Sequence, residues 1–445
     1  MPRKSFWIAA SCILALLGLL PVLSSGASPA SKEKVIYSFA GGADGANPLS
    51  ALTVDSAGNL YGTTSQGGSK GRGTVFELKR TSDGWKEEVL YSFTGGSDGG
   101  NPRAGVTFDP LGNLYGTTGF GGTGCQGEGC GTVFELKYTK GGWKEEVLYE
   151  FTGGDDGDFP AADLIFDPAG NLYGTTTSGG KGDRLQCNSG GCGAVFELKP
   201  HENGSWEERT LHTFRGAPDG GTPVQGVILD SAGNAYGVTE TGGAGSCGRG
   251  KSDFFEGCGI LYKLTPSSDG TWTEAVIYSF HRGAGGGFYP SGGLLLDMAG
   301  HLLGTTWNGG NGFGTVFDLR NSQKGWLQLN PHVFYGNPDG IRPTGRLVAD
   351  QKGNLFGVTT AGTGGRSYCG GRSNKSCGVV FELEPAVNNL WTEKILHTFA
   401  ATGGDGTDPE AGLVFGLGGH LYGTTQYGGS GTCDSGCGTV YEVAR

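Results

Sequence analysis

The stretch that decides the fold is Gly58-Asn59-Leu60-Tyr61-Gly62-Thr63-Thr64, because it returns along the whole chain. Seven copies at intervals of about 53 to 67 residues are the signature of a repeat architecture, in which each unit is one supersecondary element. The sequence therefore indicates the fold before any single residue is interpreted. The other copies are 112–118, 170–176, 233–239, 300–306, 353–359 and 419–425.

Each repeat contains four strand-like pieces in a fixed order. In the first repeat these are 52–55, 60–64, 73–78 and 85–93, separated by turns rich in Gly, Asn and Asp. Short apolar strands separated by such turns are typical of an antiparallel meander. Seven four-stranded meanders predict an all-β fold, a seven-bladed β-propeller, with an open solenoid as the alternative.

The two ends of the sequence complete the last blade together. The seventh repeat stops after its third strand, 438–443, whereas 35–39 is a spare fourth strand ahead of the first repeat. Pairing the two would close the ring and cover strand edges that a solenoid leaves exposed. We therefore expect one propeller domain over 35–445. Its blades are at about 48–93, 102–151, 160–214, 223–280, 290–334, 343–399, and 409–445 plus 35–39.

Residues 1–27 have the features of a secretory signal peptide. Arg3 and Lys4 precede an apolar run, and small residues follow at 24–27. An uncleaved membrane anchor is the alternative. Residues 28–34 would form a short linker, and no later apolar stretch approaches the roughly 18 residues of a membrane span. We therefore expect a protein that is exported by a bacterium and is secreted or periplasmic.

The charge of the chain bears on its partners. The formal net charge is −11, and the basic residues are not clustered. Nucleic acids and anionic lipid surfaces bind proteins largely through clustered Lys and Arg side chains. The sequence therefore argues against both as partners.

The cysteines form close pairs. Once Cys12 is assigned to the signal peptide, ten remain, all between the second and third strands of repeats 2, 3, 4, 6 and 7. An even number of locally paired cysteines in an exported protein predicts disulfides. Metal ligation is the alternative, although the pairs lack histidine partners. The predicted bonds are Cys125–Cys130, Cys187–Cys192, Cys247–Cys258, Cys369–Cys377 and Cys433–Cys437.

One end of the predicted ring carries both the cysteine loops and the connections that lead from one blade to the next. We call this end the loop face. The connections share the pattern Phe-x-Gly-Gly-x-Asp-Gly-x-x-Pro, and their aspartates could bind a cation such as calcium or only shape their own Asp-Gly turns. No other cofactor is expected. The aspartates are Asp44, Asp98, Asp156, Asp219, Asp339 and Asp405.

Residues that break the repeat pattern are the candidates for a site. Asp163 and Arg346 lie three residues after the proline of their repeats, where the other repeats have Gly or Ala, and His281 lies in the connection that lost its aspartate. These three are the catalytic candidates. Aromatic and basic loop residues could stack on sugar rings or hold a peptide, or they could fold back over the channel mouth. They are Phe120, Trp307, Phe313, Tyr427, Arg184, Arg249 and Arg366.

The repeat unit resembles a known family. Units that read Asp-x-x-Gly-Asn-Leu-Tyr-Gly-Thr-Thr, then Gly-Thr-Val-Phe-Glu-Leu and Leu-Tyr-Ser-Phe, resemble the GloVer (Gloeobacter/Verrucomicrobia-type) tandem repeat of exported bacterial proteins. The resemblance covers 35–445 and implies a secreted or surface protein of no established activity. Members often carry a C-terminal anchoring segment, which we do not recognise after the last repeat, so a free protein is expected.

The predicted function is recognition rather than catalysis. The sequence has neither a Gly-x-Ser-x-Gly motif nor a His-Glu-x-x-His motif. We therefore expect a non-catalytic binding or scaffold module that recognises a glycan, a peptide or a protein with the loop face. A propeller lyase or hydrolase acting at the channel mouth is one alternative, and a purely structural surface protein is the other.

Overall fold

The predicted all-β propeller is confirmed. A computed structural model describes residues 33–445, with gaps at 126, 183–186, 188–189, 248–256, 284–285, 324, 337, 363–376, 388–389 and 401–403. Within the described residues the strands form seven four-stranded antiparallel blades arranged as a ring. The predicted signal peptide and most of the predicted linker lie outside the described residues.

The strand bounds follow the repeat closely. A single turn of 3₁₀ helix, Leu417–Gly419, interrupts the strands in the last blade. In chain order the strands are β1 Glu33–Ser38, β2 Thr53–Val54, β3 Leu60–Thr64, β4 Thr74–Thr81, β5 Gly84–Ser92, β6 Thr107–Phe108, β7 Leu114–Thr118, β8 Thr132–Thr139, β9 Gly142–Glu150, β10 Asp158–Pro160, β11 Ile165–Phe166, β12 Leu172–Ser178, β13 Ala194–Pro200, β14 Trp206–Thr213, β15 Ile228–Leu229, β16 Ala235–Thr239, β17 Ile260–Pro266, β18 Trp272–Ser279, β19 Gly287–Pro290, β20 Leu295–Leu296, β21 Leu302–Gly309, β22 Thr315–Ser322, β23 Gly325–Val333, β24 Ile341–Ala349, β25 Leu355–Ala361, β26 Val379–Pro385, β27 Trp391–Thr398, β28 Gly406–Thr407, β29 Val414–Phe415, β30 Leu421–Thr425, β31 Tyr427–Gly428 and β32 Thr439–Val443.

The ring is closed by the strand that precedes the first repeat. The last blade has the order β29-β30-β32-β1, and β1 pairs antiparallel with β32 from Glu33 opposite Val443 to Ser38 opposite Thr439. The closing strand therefore begins at Glu33, two residues before the predicted start, because Glu33 and Lys34 still have partners on β32. The predicted linker loses its last two residues to the blade.

The apolar core lies between neighbouring blades. Between blades 1 and 2, Val75 and Phe93 pack against Leu114 and Phe134. The seam between blades 7 and 1 is filled in the same way, with the Phe39 ring centroid 5.1 Å from that of Phe76. Burial of apolar surface is the main stabilising contribution here. The closing interface is therefore built like the others.

The middle glycine of the decisive stretch is required by packing. The tip of an aromatic side chain of the third strand lies against this glycine in each blade. A Cβ atom built at Gly62 would lie 2.8 Å from Cζ of Phe76, and one at Gly174 would lie 2.5 Å from Cζ of Phe196. Real side chains do not approach this closely, so only glycine fits between the paired strands.

The tyrosine of the same stretch explains why the third strand repeats an acidic residue. The Tyr61 hydroxyl donates to Oε1 of Glu77 at 2.8 Å, and its oxygen lies 3.3 Å from Oδ2 of Asp55. Asp55 in turn accepts the backbone N–H of Asn59 at 2.8 Å, which fixes the first turn of the blade. The repeated acids therefore hold turns and strands together.

Four disulfides are present among the described residues. They are Cys125–Cys130, Cys187–Cys192, Cys247–Cys258 and Cys433–Cys437, with Cα–Cα distances of 5.5, 5.1, 5.2 and 5.2 Å. Cys369 lies outside the described residues, so the fifth bond stays a prediction. Disulfides persist in oxidising compartments, and these fit an extracellular or periplasmic protein. In the part of the chain that the structure describes, no helix has the length and apolar character needed to cross a membrane.

Candidate functional site at the channel mouth

A cavity of about 580 Å³ lies at the loop-face end of the central channel. Its wall comes from the segments around the proline that opens each repeat, so all seven blades contribute. Residues that directly follow the decisive stretch add to the wall in four blades. They are Thr177, Glu240, Trp307 and Thr360.

The residue before each of these prolines has a left-handed backbone, with φ between 55° and 60°. Such a φ is uncommon outside glycine and is unfavourable for a β-branched or bulky residue such as Thr222 or Phe159. Strain of this kind persists only where the surrounding structure fixes it. We call these residues the pre-proline ring: Asn47, Asn101, Phe159, Thr222, Tyr289, Arg342 and Asp408.

The cysteine loops fix the pre-proline ring. In five blades the second cysteine of the loop accepts the backbone N–H of the next pre-proline residue. Phe159 donates to Cys130 at 3.0 Å, and Thr222 donates to Cys192 at 2.8 Å. In the two blades without cysteines the acceptors are the carbonyl oxygens of Arg72 and Phe313. The loop that a disulfide ties down therefore positions a residue of the next blade at the channel mouth.

Asp163 and Arg346 narrow the cavity at its inner end. They project from blades 3 and 6 at a layer where the other blades have only Gly or Ala. The Asp163 carboxylate accepts the backbone N–H of Gly105 at 2.7 Å. Both residues also line the next space along the channel, so they mark the boundary between the mouth and the interior.

The charged groups of the cavity are enclosed by protein yet remain in contact with channel solvent. Desolvation raises the pKa of Asp408 to about 6, which the nearby Arg342 partly offsets. Desolvation also raises the pKa of Glu410 to about 7, with a smaller contribution from the negative charge of Asp408. The pKa of Asp163 is raised by desolvation and that of Arg346 is lowered by it. The pKa values of Asp408 and Glu410 therefore lie closer to neutral pH than those of ordinary carboxyl groups.

Two arginines at the mouth stack on aromatic rings. The guanidinium carbon of Arg342 lies 5.3 Å from the ring centroid of Trp307, and that of Arg103 lies 5.2 Å from Phe159. Trp307 is 39% exposed. Stacking holds both guanidinium groups in defined orientations beside the cavity.

Comparison with known families decides the relationship of the chain. The Gloeobacter/Verrucomicrobia repeat matches residues 26–250 and 248–445. The chain belongs to this repeat family. The resemblance predicted from the sequence is thereby confirmed. No curated protein matches the chain.

Solved structures share only the fold with this member of the Gloeobacter/Verrucomicrobia repeat family. A putative glucose dehydrogenase from Thermus thermophilus is 14% identical, with 93% of this chain and 100% of that one covered and a TM-score of 0.39. A gluconolactonase from Xanthomonas campestris is 12% identical over 70% and 81%, with a TM-score of 0.36. The polysaccharide lyase Uly1 is 10% identical over 89% of both chains, with a TM-score of 0.48. None of these likenesses assigns an activity.

The structure places the sequence candidates in different positions. Asp163, Arg346 and Trp307 line the cavity. Phe120 packs behind Phe159, with ring centroids 5.2 Å apart. The remaining described candidates, Phe313, Tyr427 and His281, are not among the lining residues. Arg184, Arg249 and Arg366 lie outside the described residues.

Sequence reasoning missed most of the wall. The missed residues lie directly before or after the repeat proline, or directly after the decisive stretch. Their variation from repeat to repeat is the signal that could have revealed them, because residue types elsewhere in the unit are nearly fixed. They are Arg103, Phe159, Glu240, Arg342, Asp408 and Glu410.

Each aspartate of the shared loop pattern is bound by its own connection. The Asp44 carboxylate accepts the backbone N–H of Ala40 at 2.7 Å and the hydroxyl of Tyr37 at 3.1 Å. In three blades a histidine replaces that tyrosine, as at His332, whose Nε2 lies 2.8 Å from Asp339. The aspartates thus accept hydrogen bonds from their own connections, as expected if they shape the Asp-Gly turns. Similar bonds hold Asp98, Asp156, Asp219 and Asp405.

Histidine at this position creates two groups of side chains that could hold a metal ion. They are His332 with Asp339 and Glu393, and His397 with Asp405 and Glu33, and the donor atoms of each group lie within 4.8 Å of one another. Tyrosine stands at the histidine position in four of the blades. Both groups are therefore variants of one contact between blades.

A half-buried acid in the next blade faces each of these aspartates. Glu87, for example, lies on β5, and its neighbours are Asp44 on the preceding connection and Glu88 on its own strand. Blade 5 has Gln328 at this position, and it follows the only connection that lacks the aspartate. The blade that lacks the glutamate is thus also the blade whose preceding connection lacks the aspartate. We call the acids the inter-blade glutamates: Glu33, Glu87, Glu145, Glu208, Glu274 and Glu393.

Proposed function

We propose that this protein is an exported binding module that holds a glycan in the channel-mouth cavity. The observation that carries the proposal is the exposed Trp307 ring beside a cavity lined by hydroxyl, amide and charged side chains. Aromatic rings stack on the apolar faces of sugars, and polar groups around them bind the hydroxyls.

The size of the cavity supports a small ligand. Ligand pockets commonly enclose about 300 to 1,000 Å³, and about 580 Å³ falls within that range. A protein partner would need a surface of about 800 Å² on each side. A concave site at the end of a channel therefore favours a few sugar units over a folded protein.

Export is part of the proposal. The apolar segment after Arg3 and Lys4 and the disulfides of the ring both support secretion or transfer to the periplasm. N-terminal sequencing of the protein from its native host is expected to show a start near residue 28. A mature chain that still begins at Met1 would contradict a cleaved signal peptide.

A catalytic role has one specific observation in its favour. Glu410, whose pKa is raised to about 7 by desolvation, lies in the same cavity as Arg103. A carboxyl group that titrates near neutral pH can serve as a general acid or base, so a lyase or hydrolase is the second candidate function. Time-dependent cleavage of a bound oligosaccharide, abolished in Glu410→Gln, would establish it.

Substitution of Trp307 tests glycan binding. Glycan-array screening followed by titration calorimetry is expected to find a ligand whose affinity falls at least about tenfold in Trp307→Ala, because the stacking surface is lost. The matched control is Phe313→Ala, since Phe313 is 37% exposed on the same blade but does not line the cavity. An equal loss in both variants, or binding of peptides and no glycan, would contradict the proposal.

A further inference from the structure

We propose that the bound glycan is acidic, and that Arg346 and Arg342 recognise its carboxylate. The inference rests on the proposed function, since it names the class of glycan that the same cavity takes. It is carried by arginine side chains that line the cavity and keep N–H donors that no described protein group accepts.

The arginines of the cavity keep most of their hydrogen-bond donors unused. Among the described residues, the Arg346 guanidinium makes no hydrogen bond and no ion pair, and the Arg342 guanidinium stacks on the Trp307 ring without a hydrogen bond. Arg103 donates from Nε to Asn101 at 3.0 Å and stacks on Phe159. A guanidinium group has five N–H donors, and those of Arg346 and Arg342 are exposed to the channel solvent, where a ligand can reach them. A carboxylate satisfies two of these donors at once.

The acids of the cavity do not neutralise the arginines by contact. Asp163 is near enough to raise the pKa of Arg346, but its carboxylate accepts a hydrogen bond from the backbone N–H of Gly105 and none from the guanidinium group. Asp408 faces Arg342 in the same way without a bond between them. Among the described residues no salt bridge joins either pair, so the guanidinium groups of Arg346 and Arg342 stay available to a ligand.

Protonation of the cavity acids makes the cavity more favourable for an anionic ligand. Desolvation raises the pKa values of the cavity acids, which are Asp163, Glu240, Asp408 and Glu410. As the pH falls from 8 to 5, Asp408 and Glu410, whose pKa values are raised to about 6 and about 7, take up protons, whereas the arginines stay charged. Uronate carboxyl groups remain ionised in this range, because ordinary carboxyl groups titrate near pH 4. Affinity for an acidic sugar is therefore expected to rise as the pH falls.

The neutral part of the wall favours a sugar over an acidic peptide. Hydroxyl and amide groups surround the arginines, and such groups exchange hydrogen bonds with sugar hydroxyls. The exposed Trp307 ring provides an adjoining stacking surface. These residues are Thr177, Thr222, Gln225, Ser291, Thr344 and Thr360.

Titration calorimetry with three probes tests the inference: trigalacturonate, the neutral galactotriose and a triglutamate peptide. Trigalacturonate is expected to bind at least about tenfold more tightly than galactotriose at pH 6. At pH 8 trigalacturonate is expected to bind more weakly than it does at pH 6. Arg346→Gln is expected to remove this selectivity, and Arg346→Lys to restore part of it, since lysine keeps the charge without the bidentate geometry. Arg80→Gln, at the opposite end of the ring on β4, is the control and is expected to bind like the wild type.

The outcomes separate the two proposals. Equal affinity for the acidic and neutral trisaccharides, or unchanged selectivity in Arg346→Gln with an unchanged melting temperature, would overturn the acidic ligand and leave glycan binding in place. No binding of either trisaccharide in this assay, together with no ligand on the glycan array, would overturn both. Binding of triglutamate with no sugar bound would replace the glycan by an acidic peptide.

Discussion

Raising the pH from 5.5 to 8.5 is expected to lower the melting temperature of the ring by about 10 °C. The cause lies at the contacts between blades. Burial, with a smaller contribution from the facing aspartate, raises the pKa of Glu87 and of Glu145 to about 7. Burial is also the main cause of the raised pKa of the other inter-blade glutamates.

The direction of the effect follows from proton binding. A glutamate in the unfolded chain releases its proton near its ordinary pKa of 4.5, whereas the folded protein keeps it up to about 7. Between these values the folded state binds more protons, so stability falls as the pH rises. The contribution is complete below about pH 4.5 and is lost as the pH passes 7. These groups are only half-buried, and solvent screens their charges. Each therefore contributes about 1 kcal/mol to the free energy of unfolding.

Glu87→Gln provides the test, because blade 5 already carries glutamine at this position as Gln328. Besides Glu88, the groups facing Glu87 are Asp44 on the preceding connection and Tyr37 on β1. The variant is expected to melt with a smaller difference between pH 5.5 and 8.5. Glu146→Gln is the control, since Glu146 is exposed and pairs with Lys137 at 3.2 Å. A flat pH profile in the wild type would refute the explanation.

Removing one particular disulfide is expected to weaken ligand binding as well as stability. The Cys130 carbonyl oxygen holds Phe159 of the pre-proline ring, and Phe159 supports Arg103. Cys125→Ser/Cys130→Ser is expected to lower the free energy of unfolding by about 2 kcal/mol, as for a short closed loop. The affinity for the glycan should fall at least about fivefold, because the ordered mouth must then be formed on binding.

A second disulfide separates the two effects. Cys437 accepts the N–H of Asn47 at 2.8 Å, but Asn47 is not among the residues that line the cavity. Cys433→Ser/Cys437→Ser is therefore expected to show a similar stability loss in thermal unfolding with unchanged affinity in calorimetry. Equal affinity losses in the two variants would mean that the disulfides act on the ring as a whole.

The sequence predicts the fold almost completely, because the fold is periodic. The spacing of the decisive stretch sets the number of blades, and the spare strand at 35–39 predicts how the ring closes. The error at Glu33 has a simple cause. Glu33 and Lys34 are polar, so their pairing depends on the partner strand β32 and not on an apolar pattern of their own.

The candidate site is predicted less well, for a physical reason. Asp163, Arg346 and Trp307 stand out because they replace small or unrelated residues at fixed positions. Phe159 and Arg342 do not, because their places at the mouth depend on a left-handed backbone that their residue types disfavour. Hydrogen bonds to the carbonyl oxygen of Cys130 for Phe159, and to that of Phe313 for Arg342, hold that backbone. In the sequence, only the variation of the pre-proline position from repeat to repeat could have indicated these residues.

The pre-proline ring separates the shape of the backbone from the chemistry of the side chain. Its seven positions share one backbone geometry while carrying amide, aromatic, hydroxyl, basic and acidic side chains. The framework thus already accepts widely different residues at equivalent points around one mouth. A combinatorial library confined to these seven codons could therefore yield propellers with new specificities, in the way that antibodies vary their binding loops on a constant scaffold.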